Sequence, residues 1–414
     1  VSSRRAAWFL IVITFIAFIS LGLPDGLMDI ANPHVRADFD IGTDIFSLLF
    51  VTGFTGYFLS SFFAGQLVTR LGIALLLAAS CLLTGLALLG DAITPSWAWF
   101  VLLGLAAGGG AGAIDSGLNT YVATHYSPRL MFWLHASFGL GVTSGTWLMS
   151  AVVNNGETWR WGYATVGMMQ IGLALIFLLT RARWNDSPPP VVSASTQPEQ
   201  KAAITPIRAT LRLPVVWFGI ALFFLYTGVE ASAGRWATTL FIEGREVKAA
   251  TAGLWVSGYW GLFTIGRVLA GFTDRLITPL AYIRLSMIGA VIGSLVLLVN
   301  PFDWAGGIAL GVLGLMFAPV FPMLISATPS RVGEAHTANT IGFQISAASI
   351  GTVTMPGLIG VLAKAISIEV MPVLLLVATS AMLILHEIVL RRPVVDANHA
   401  GRLVRDSAAA PGDR

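Results

Sequence analysis

Twelve apolar runs, each about 20 residues long and parted by short polar connectors, dominate this 414-residue chain. That is the length an α-helix needs to cross a hydrocarbon core of ~30 Å. In lipid every backbone N–H and C=O must find its partner inside the protein, so such runs fold as helices and not as open sheets. They fall at about 8–32, 45–67, 72–90, 97–122, 130–153, 160–181, 214–241, 250–271, 279–299, 304–328, 336–362 and 369–390. Charged residues make up only 11% of the chain and hydrophobic residues 56%. A soluble domain carries roughly 25% charged residues. The expected fold class is an all-α membrane protein with 12 transmembrane helices.

One long polar gap divides the runs six and six. Arg183–Leu213 contains Pro188-Pro189-Pro190 and the polar stretch from Ser193 to Gln200, the composition of a flexible linker. The expected organisation is a six-helix bundle over 1–182, a cytoplasmic linker over 183–213, a second six-helix bundle over 214–392 and a disordered cytoplasmic tail over 393–414. Arg4, Arg5, Arg70, Arg129, Arg181, Arg183, Lys201, Arg208, Arg212, Arg275, Arg331, Arg391, Arg392, Arg402, Arg405 and Arg414 fall on one side of the alternating spans. Only Arg36, Arg160, Arg245, Lys248 and Lys364 fall on the other. Cytoplasmic connectors carry the excess of Lys and Arg, which places both termini in the cytoplasm. No Ala-x-Ala-like site closes the first run, so it reads as an uncleaved helix.

The net charge of +3 is spread over short connectors, and no basic stripe offers itself to nucleic acid. The single cysteine, Cys81, lies in an apolar run and excludes an intrachain disulfide. No metal-ligand spacing, nucleophile elbow or phosphate-binding loop occurs. The expectation is therefore no enzyme, no cofactor and no metal. A nucleotide-driven pump fails on the missing phosphate-binding loop, and a sensor fails on the missing soluble domain.

The halves echo each other. Ala64-Gly65-Gln66-Leu67-Val68-Thr69-Arg70 follows the second run, and Ala270-Gly271-Phe272-Thr273-Asp274-Arg275 follows the eighth. With twelve spans and a central linker, these loops make the chain similar to the major facilitator superfamily over nearly its whole length. The resemblance implies two pseudo-symmetric six-helix bundles, with the solute site at the interface between repeats. It also implies a gate built on Gly65, Arg70, Arg267, Gly271, Asp274 and Arg275. The acidic residue usual in this loop is Asp274 in the second half, whereas Thr69 stands at the first-half position. A lock on that side is accordingly built differently.

Polar groups inside the spans are the candidates for function, because a charge there costs at least ~2.5 kcal/mol on insertion scales. The fourth run carries Gly108-Gly109-Gly110-Ala111-Gly112 and then Asp115 and Asn119, four apart and so on one helix face. With Gly104, Gly108 and Gly112 near the same stripe, this face is suited to a neighbouring helix or a cavity. On the first run, Asp25 follows Pro24, and Asp29 lies one turn on. Two carboxylates so placed in a low dielectric suit proton carriage at neutral pH. The seventh run has Glu230, with Tyr226 one turn before it and Gly234 one turn after. The eighth has Trp255 and Tyr259 on one face, a platform for the C–H side of a sugar. His135 is the one histidine well inside a span, and Asn339 and Gln344 stand in the corresponding run of the second half.

Asp25, Asp115, Asn119 and His135 are most similar to the fucose permease branch of sugar:proton symporters. There the first helix carries a carboxylate and the fourth a Gly-rich sequence, a Glu and an Asn. Asp115 and Asn119 match the last two at the same spacing, with Asp for Glu and Thr120 in place of a proline. The resemblance implies that Asp25 binds substrate or proton, that Asp115 cycles between charged and neutral forms, and that His135 touches the sugar. The resulting expectation assigns proton coupling to Asp115, Asp25 and Glu230. It assigns solute binding to Asn119, His135, Tyr226, Trp255, Tyr259, Asn339 and Gln344. The partners are a small neutral solute, protons and the lipid bilayer, in a monomer of the bacterial inner membrane. The alternative is a proton-linked exporter of drugs or metabolites. Gly139-x-Gly141-x-x-x-Gly145-Thr146 resembles the glycine-rich antiporter signature, with Thr146 where that signature has proline.

Overall fold

The computed structural model describes residues 2–185, 205–273 and 276–391. Every regular element among them is helical. Six long helices form the first half: α1 (Ser2–Asp38), α2 (Thr43–Leu71), α3 (Ile73–Ile93), α4 (Trp97–His125), α5 (Pro128–Asn154) and α6 (Arg160–Asn185). A five-residue helix, α7 (Ile207–Leu211), follows. The second half holds α8 (Pro214–Thr239), α9 (Ala249–Thr273), α10 (Pro279–Val299), α11 (Ala305–Phe317), α12 (Val320–Val332), α13 (Glu334–Ala365) and α14 (Val370–Leu390). A single π-helical turn, Leu240–Gly244, extends α8.

Eleven spans among the described residues are long and apolar enough to cross a membrane, with α11 and α12 counted together as Ala305–Val332. The twelfth helix of that length class is α9, whose apolar run is diluted by Ser257, Thr264 and Arg267. Two expectations need correction. The tenth run is not one straight helix: Pro319, which lacks an N–H, sits at the junction of α11 and α12. The stretch expected as a linker is not irregular at its ends, because α6 continues to Asn185 and α7 buries Ala209 and Thr210. The middle of that linker and the tail after Arg391 lie outside the described residues.

The chain divides into two compact units. Unit 1 comprises residues 1–126, 134–206 and 335–346; unit 2 comprises 127–133, 207–334 and 347–414. In unit 1, α2 packs on α4, α3 on α4 and α6, and α1 on α6. In unit 2, α9 packs on α11, α10 on α11 and α14, and α8 on α14. Counting spans within each half, these are the same four pairings. Internal symmetry that is faint in sequence is therefore explicit in helix packing.

Two turns show why glycine is needed. Gly72, between α2 and α3, has φ 74° and ψ 159°, and Gly333, between α12 and α13, has φ 78° and ψ 159°. Side chains are all but excluded from that backbone region. Each glycine ends an Arg-x-Gly triplet, Arg70-Leu71-Gly72 and Arg331-Val332-Gly333.

Candidate functional site

The glycine stripe of α4 is a helix-packing surface. A Cβ at Gly108 would run into the Gly53 backbone of α2, and one at Gly112 into the Tyr57 carbonyl and the hydroxyls of Ser60 and Ser61. Gly104 faces Leu49 and Thr52. Small residues thus bring the α2 and α4 backbones together, and the Ser61 hydroxyl donates to the Gly112 carbonyl at 3.2 Å. The consequence appears one turn further on. Tyr57 Oη reaches across the closed gap and donates to Asp115 Oδ2. Asn119 Nδ2 donates to Asp115 Oδ1 at 2.7 Å and to the Asp115 carbonyl at 2.9 Å. His135 Nε2 lies 3.0 Å from Asn119 Oδ1, its ring held edge-on to Phe18. Asp115, Asn119 and His135 are all buried.

Unit 1 therefore holds a continuous polar chain, Tyr57–Asp115–Asn119–His135, drawn from α2, α4 and α5. Asp25 stands close enough for its charge to act on Tyr57. Its own helix is seated by glycines: Gly22 and Gly26 meet the α5 backbone at Phe138 and Val142, while Gly141 and Gly145 of α5 meet Ile19 and Leu23 of α1. Gly141 and Gly145 of the α5 glycine run are thus occupied in packing α1, while a Cβ at Gly139 would meet open space. Asp25 and Asp29 are exposed, in contrast to Asp115.

Sequence reasoning missed Tyr57. The signal was present. It is the only hydroxyl-bearing ring in a helix otherwise supplied with Phe46, Phe50, Phe54, Phe58, Phe62 and Phe63, and a tyrosine hydroxyl at lipid depth needs a partner. A second carboxylate not singled out from sequence, Asp91 near the end of α3, is 3% exposed, and its Oδ1 has no partner among the described residues.

Unit 2 treats its polar groups differently. Tyr226 and Tyr259 are fully buried, and both hydroxyls are committed to backbone: Tyr226 to the Phe317 carbonyl and Tyr259 to the Glu230 carbonyl, each at 2.9 Å. Glu230 is half-buried. The charge of Arg267 acts on Glu230 and on both tyrosines. The Arg267 guanidinium lies 4.1 Å from the Phe263 ring centroid, a cation–π contact, and its Nε is buried without a partner among the described residues. Gly234 accommodates the Trp260 ring. Trp255 packs edge-on to Phe241 and over Gly307.

The remaining site residues disperse. Asn339 is buried beside Gly65, where Gln66 Nε2 donates to its Oδ1 at 3.2 Å and its own Nδ2 donates to the Thr205 carbonyl at 3.0 Å. It thereby sits with Gly65, expected at the gate, and not with His135. Gln344 is buried on the same stretch of α13. Arg70 is exposed, and Gly271 receives the Trp133 ring. Asp274 and Arg275 lie outside the described residues.

Comparison with known proteins decides the family. A family profile described as Major Facilitator Superfamily matches residues 10–356. The chain belongs to the major facilitator superfamily. This superfamily member is an integral membrane transporter for a small-molecule solute and not an enzyme. Its fold is twelve transmembrane helices in two pseudo-symmetric six-helix bundles. It is 23% identical over 340 residues to the glucose/mannose transporter GlcP of Bacillus subtilis, covering 80% of this chain and 82% of that one. It is 28% identical over 218 residues to the human sodium-dependent glucose transporter 1, covering 51% of this chain and 39% of that one. The E. coli fucose:proton symporter FucP shares the fold with a TM-score of 0.70 at 14% identity, covering 93% of this chain and 99% of that one.

Proposed function

We propose that this transporter is a proton-coupled symporter of a sugar or similar small neutral polar solute, working by alternating access. The carrying observation is the Tyr57–Asp115–Asn119–His135 chain. Both oxygens of Asp115 accept hydrogen bonds, each from a neutral donor. An excess charge held by neutral dipoles can be discharged by one proton without leaving a cation stranded nearby. Protonation turns one Asp115 oxygen from acceptor to donor and releases the donor bound to it, and Asn119 and His135 offer amide and imidazole groups to solute hydroxyls. Proton binding and solute binding become linked through shared hydrogen bonds, which is the coupling a symporter needs.

Asp25, exposed and acting on Tyr57, is the entry group for the proton or the first contact for the solute. Glu230 completes the proton-coupling set. Tyr226, Trp255, Tyr259, Asn339 and Gln344 support or line the path. Gly65, Arg70, Arg267, Gly271, Asp274 and Arg275 serve the gate. The sugar assignment is supported by the relatives, two of which carry glucose in their names. The bundles run 1–182 and 214–392, the protein is a monomer of the bacterial inner membrane, and both termini face the cytoplasm, as the Lys and Arg bias requires.

Uptake of radiolabelled D-glucose into proteoliposomes tests the reading. An imposed inward proton gradient accelerates uptake, and Asp115→Asn removes that acceleration. Acceleration by an inward sodium gradient alone would overturn proton coupling, and efflux driven by an inward proton gradient would favour the exporter.

A further inference from the structure

Both units close one end with an arginine that caps the third span of its half. In unit 2, Arg245 at the end of the π-turn donates through Nη2 to the Leu297 carbonyl of α10 at 2.8 Å, and through Nε and Nη2 it grips Glu369. In unit 1, Arg160 at the start of α6 donates through Nη1 to the Asp91, Ala92 and Thr94 carbonyls at the end of α3, and through Nη2 to Asp38 at 3.2 Å. Leu297 and Asp91 hold the same place, each two residues before the last of its helix. Each offers its carbonyl to the arginine, and each is buried. The cap therefore uses backbone alone. Unit 2 builds it with an apolar side chain, so the carboxyl group of Asp91 is not needed for it.

Burying that group carries a cost that Leu297 avoids, and three features decide the form in which it is held. First, Asp91 is 3% exposed, and its Oδ1 has no hydrogen-bond partner among the described residues. A buried charge needs such partners far more than a neutral acid does. Second, Asp91 lies in the last turn of α3, where the orphan carbonyls form the negative end of the helix dipole and oppose a further negative charge. Third, the guanidinium that reaches this turn is committed elsewhere, to three carbonyls and to Asp38. The other groups at this end do not replace it. Tyr163 of α6, within reach of the Asp91 charge, directs its hydroxyl to Met28 Sδ at 3.6 Å, and Arg36 of α1 is tied to Asn32 at 2.9 Å. From α4 there is no ionisable residue between Trp97 and Ile114, and α2 brings only the acid Asp44 in its first turn. All three features favour the neutral acid.

We propose that Asp91 is a further proton-binding site, neutral while Arg160 holds Asp38, and that on losing its proton it takes Arg160 Nη2 from Asp38. The proton passes to water at this end of the bundle, and the carboxylate left behind accepts the donor that Asp38 gives up. Asp38 is 45% exposed and exchanges the arginine for solvent. Because Asp38 ends α1, the proton on Asp91 decides whether Arg160 ties α1 to α6 or holds α3 alone. The site shares no hydrogen bond with the Tyr57–Asp115–Asn119–His135 chain, and it stands whether or not Asp115 couples transport.

Infrared titration of the full chain in phosphatidylcholine nanodiscs tests the site through the carbonyl stretch of a protonated carboxylic acid. Spectra are taken in the Asp115→Asn background, so that failure of the Asp115 reading leaves the result unaffected. The acid band that Asp91→Asn removes reports Asp91; it is expected at neutral pH and fades on alkaline titration. Asp91→Leu, the side chain that unit 2 carries, is expected to remove the same band, and matching melting temperatures confirm that the variants fold. Asp38→Asn frees Arg160 for Asp91 and is expected to move the fading of the band to lower pH by about 1 unit or more. Absence of a band difference at neutral pH overturns the proposal, and so does an acid band that never fades. A titration unmoved by Asp38→Asn overturns the exchange of Arg160.

Discussion

Unit 1 and unit 2 repeat one scaffold and put different chemistry inside it. The four helix pairings coincide, and even the end caps are related. In unit 1 the acid, Asp38, ends the first span and the arginine, Arg160, begins the sixth; in unit 2 the arginine follows the first span of the half and the acid, Glu369, precedes the last. The pair is kept and its members are exchanged. Either order brings a guanidinium to the orphan carbonyls at the C-terminus of the third span, which is the interaction that matters.

The interiors do not match in this way. Asp115 is surrounded by neutral donors, whereas Glu230 is faced by the charge of Arg267 as well as by the Tyr226 hydroxyl. A carboxylate among neutral dipoles can change charge locally. One facing a buried guanidinium cannot do so without stranding that cation. Within the proposed proton-coupling set, the contrast makes Asp115 the first group to test and Glu230 the second.

The largest effect that would break this contrast is on coupling itself. Asp115→Asn is expected to abolish the response of glucose uptake to a proton gradient, while Glu230→Gln slows uptake and retains the response. Loss of the response in Glu230→Gln alone would reverse the assignment. Next, Gly108→Ala places a methyl group against the Gly53 backbone and is expected to destabilise unit 1 by about 1–3 kcal/mol, read as a lower melting temperature in nanodiscs. For unit 2, the double variant Glu230→Gln/Arg267→Gln should be less destabilised than the sum of its singles, with a coupling of about 0.5–3 kcal/mol; strict additivity in thermal melts would show that the two charges do not act on each other. Tyr57→Phe removes one donor from a charged acceptor and should lower gradient-driven uptake by about tenfold, with unchanged expression. Smallest is Asp38→Asn. That partly exposed pair is worth at most about 1 kcal/mol, and a shift in melting temperature should be barely measurable.

Much of the architecture was legible in the residues taken one run at a time. Apolar length and backbone satisfaction determined the spans, and α10 occupies 279–299 as its run indicates. The three- and four-residue spacing in α4 determined that Asp115, Asn119 and the glycines share a face, because a helix places such residues together whatever surrounds it. Tertiary structure alone decided what that face meets. Tyr57 is 58 residues from Asp115 in sequence and reaches it only because two glycine-lined backbones close together. Asn339 sits beside Gly65 and not in a mirror image of His135, since its partners, Gln66 and Thr205, come from distant segments. Periodicity reports which side of a helix is polar; the identity of a hydrogen-bond partner depends on which other helix arrives there, and that is settled by packing over the whole chain.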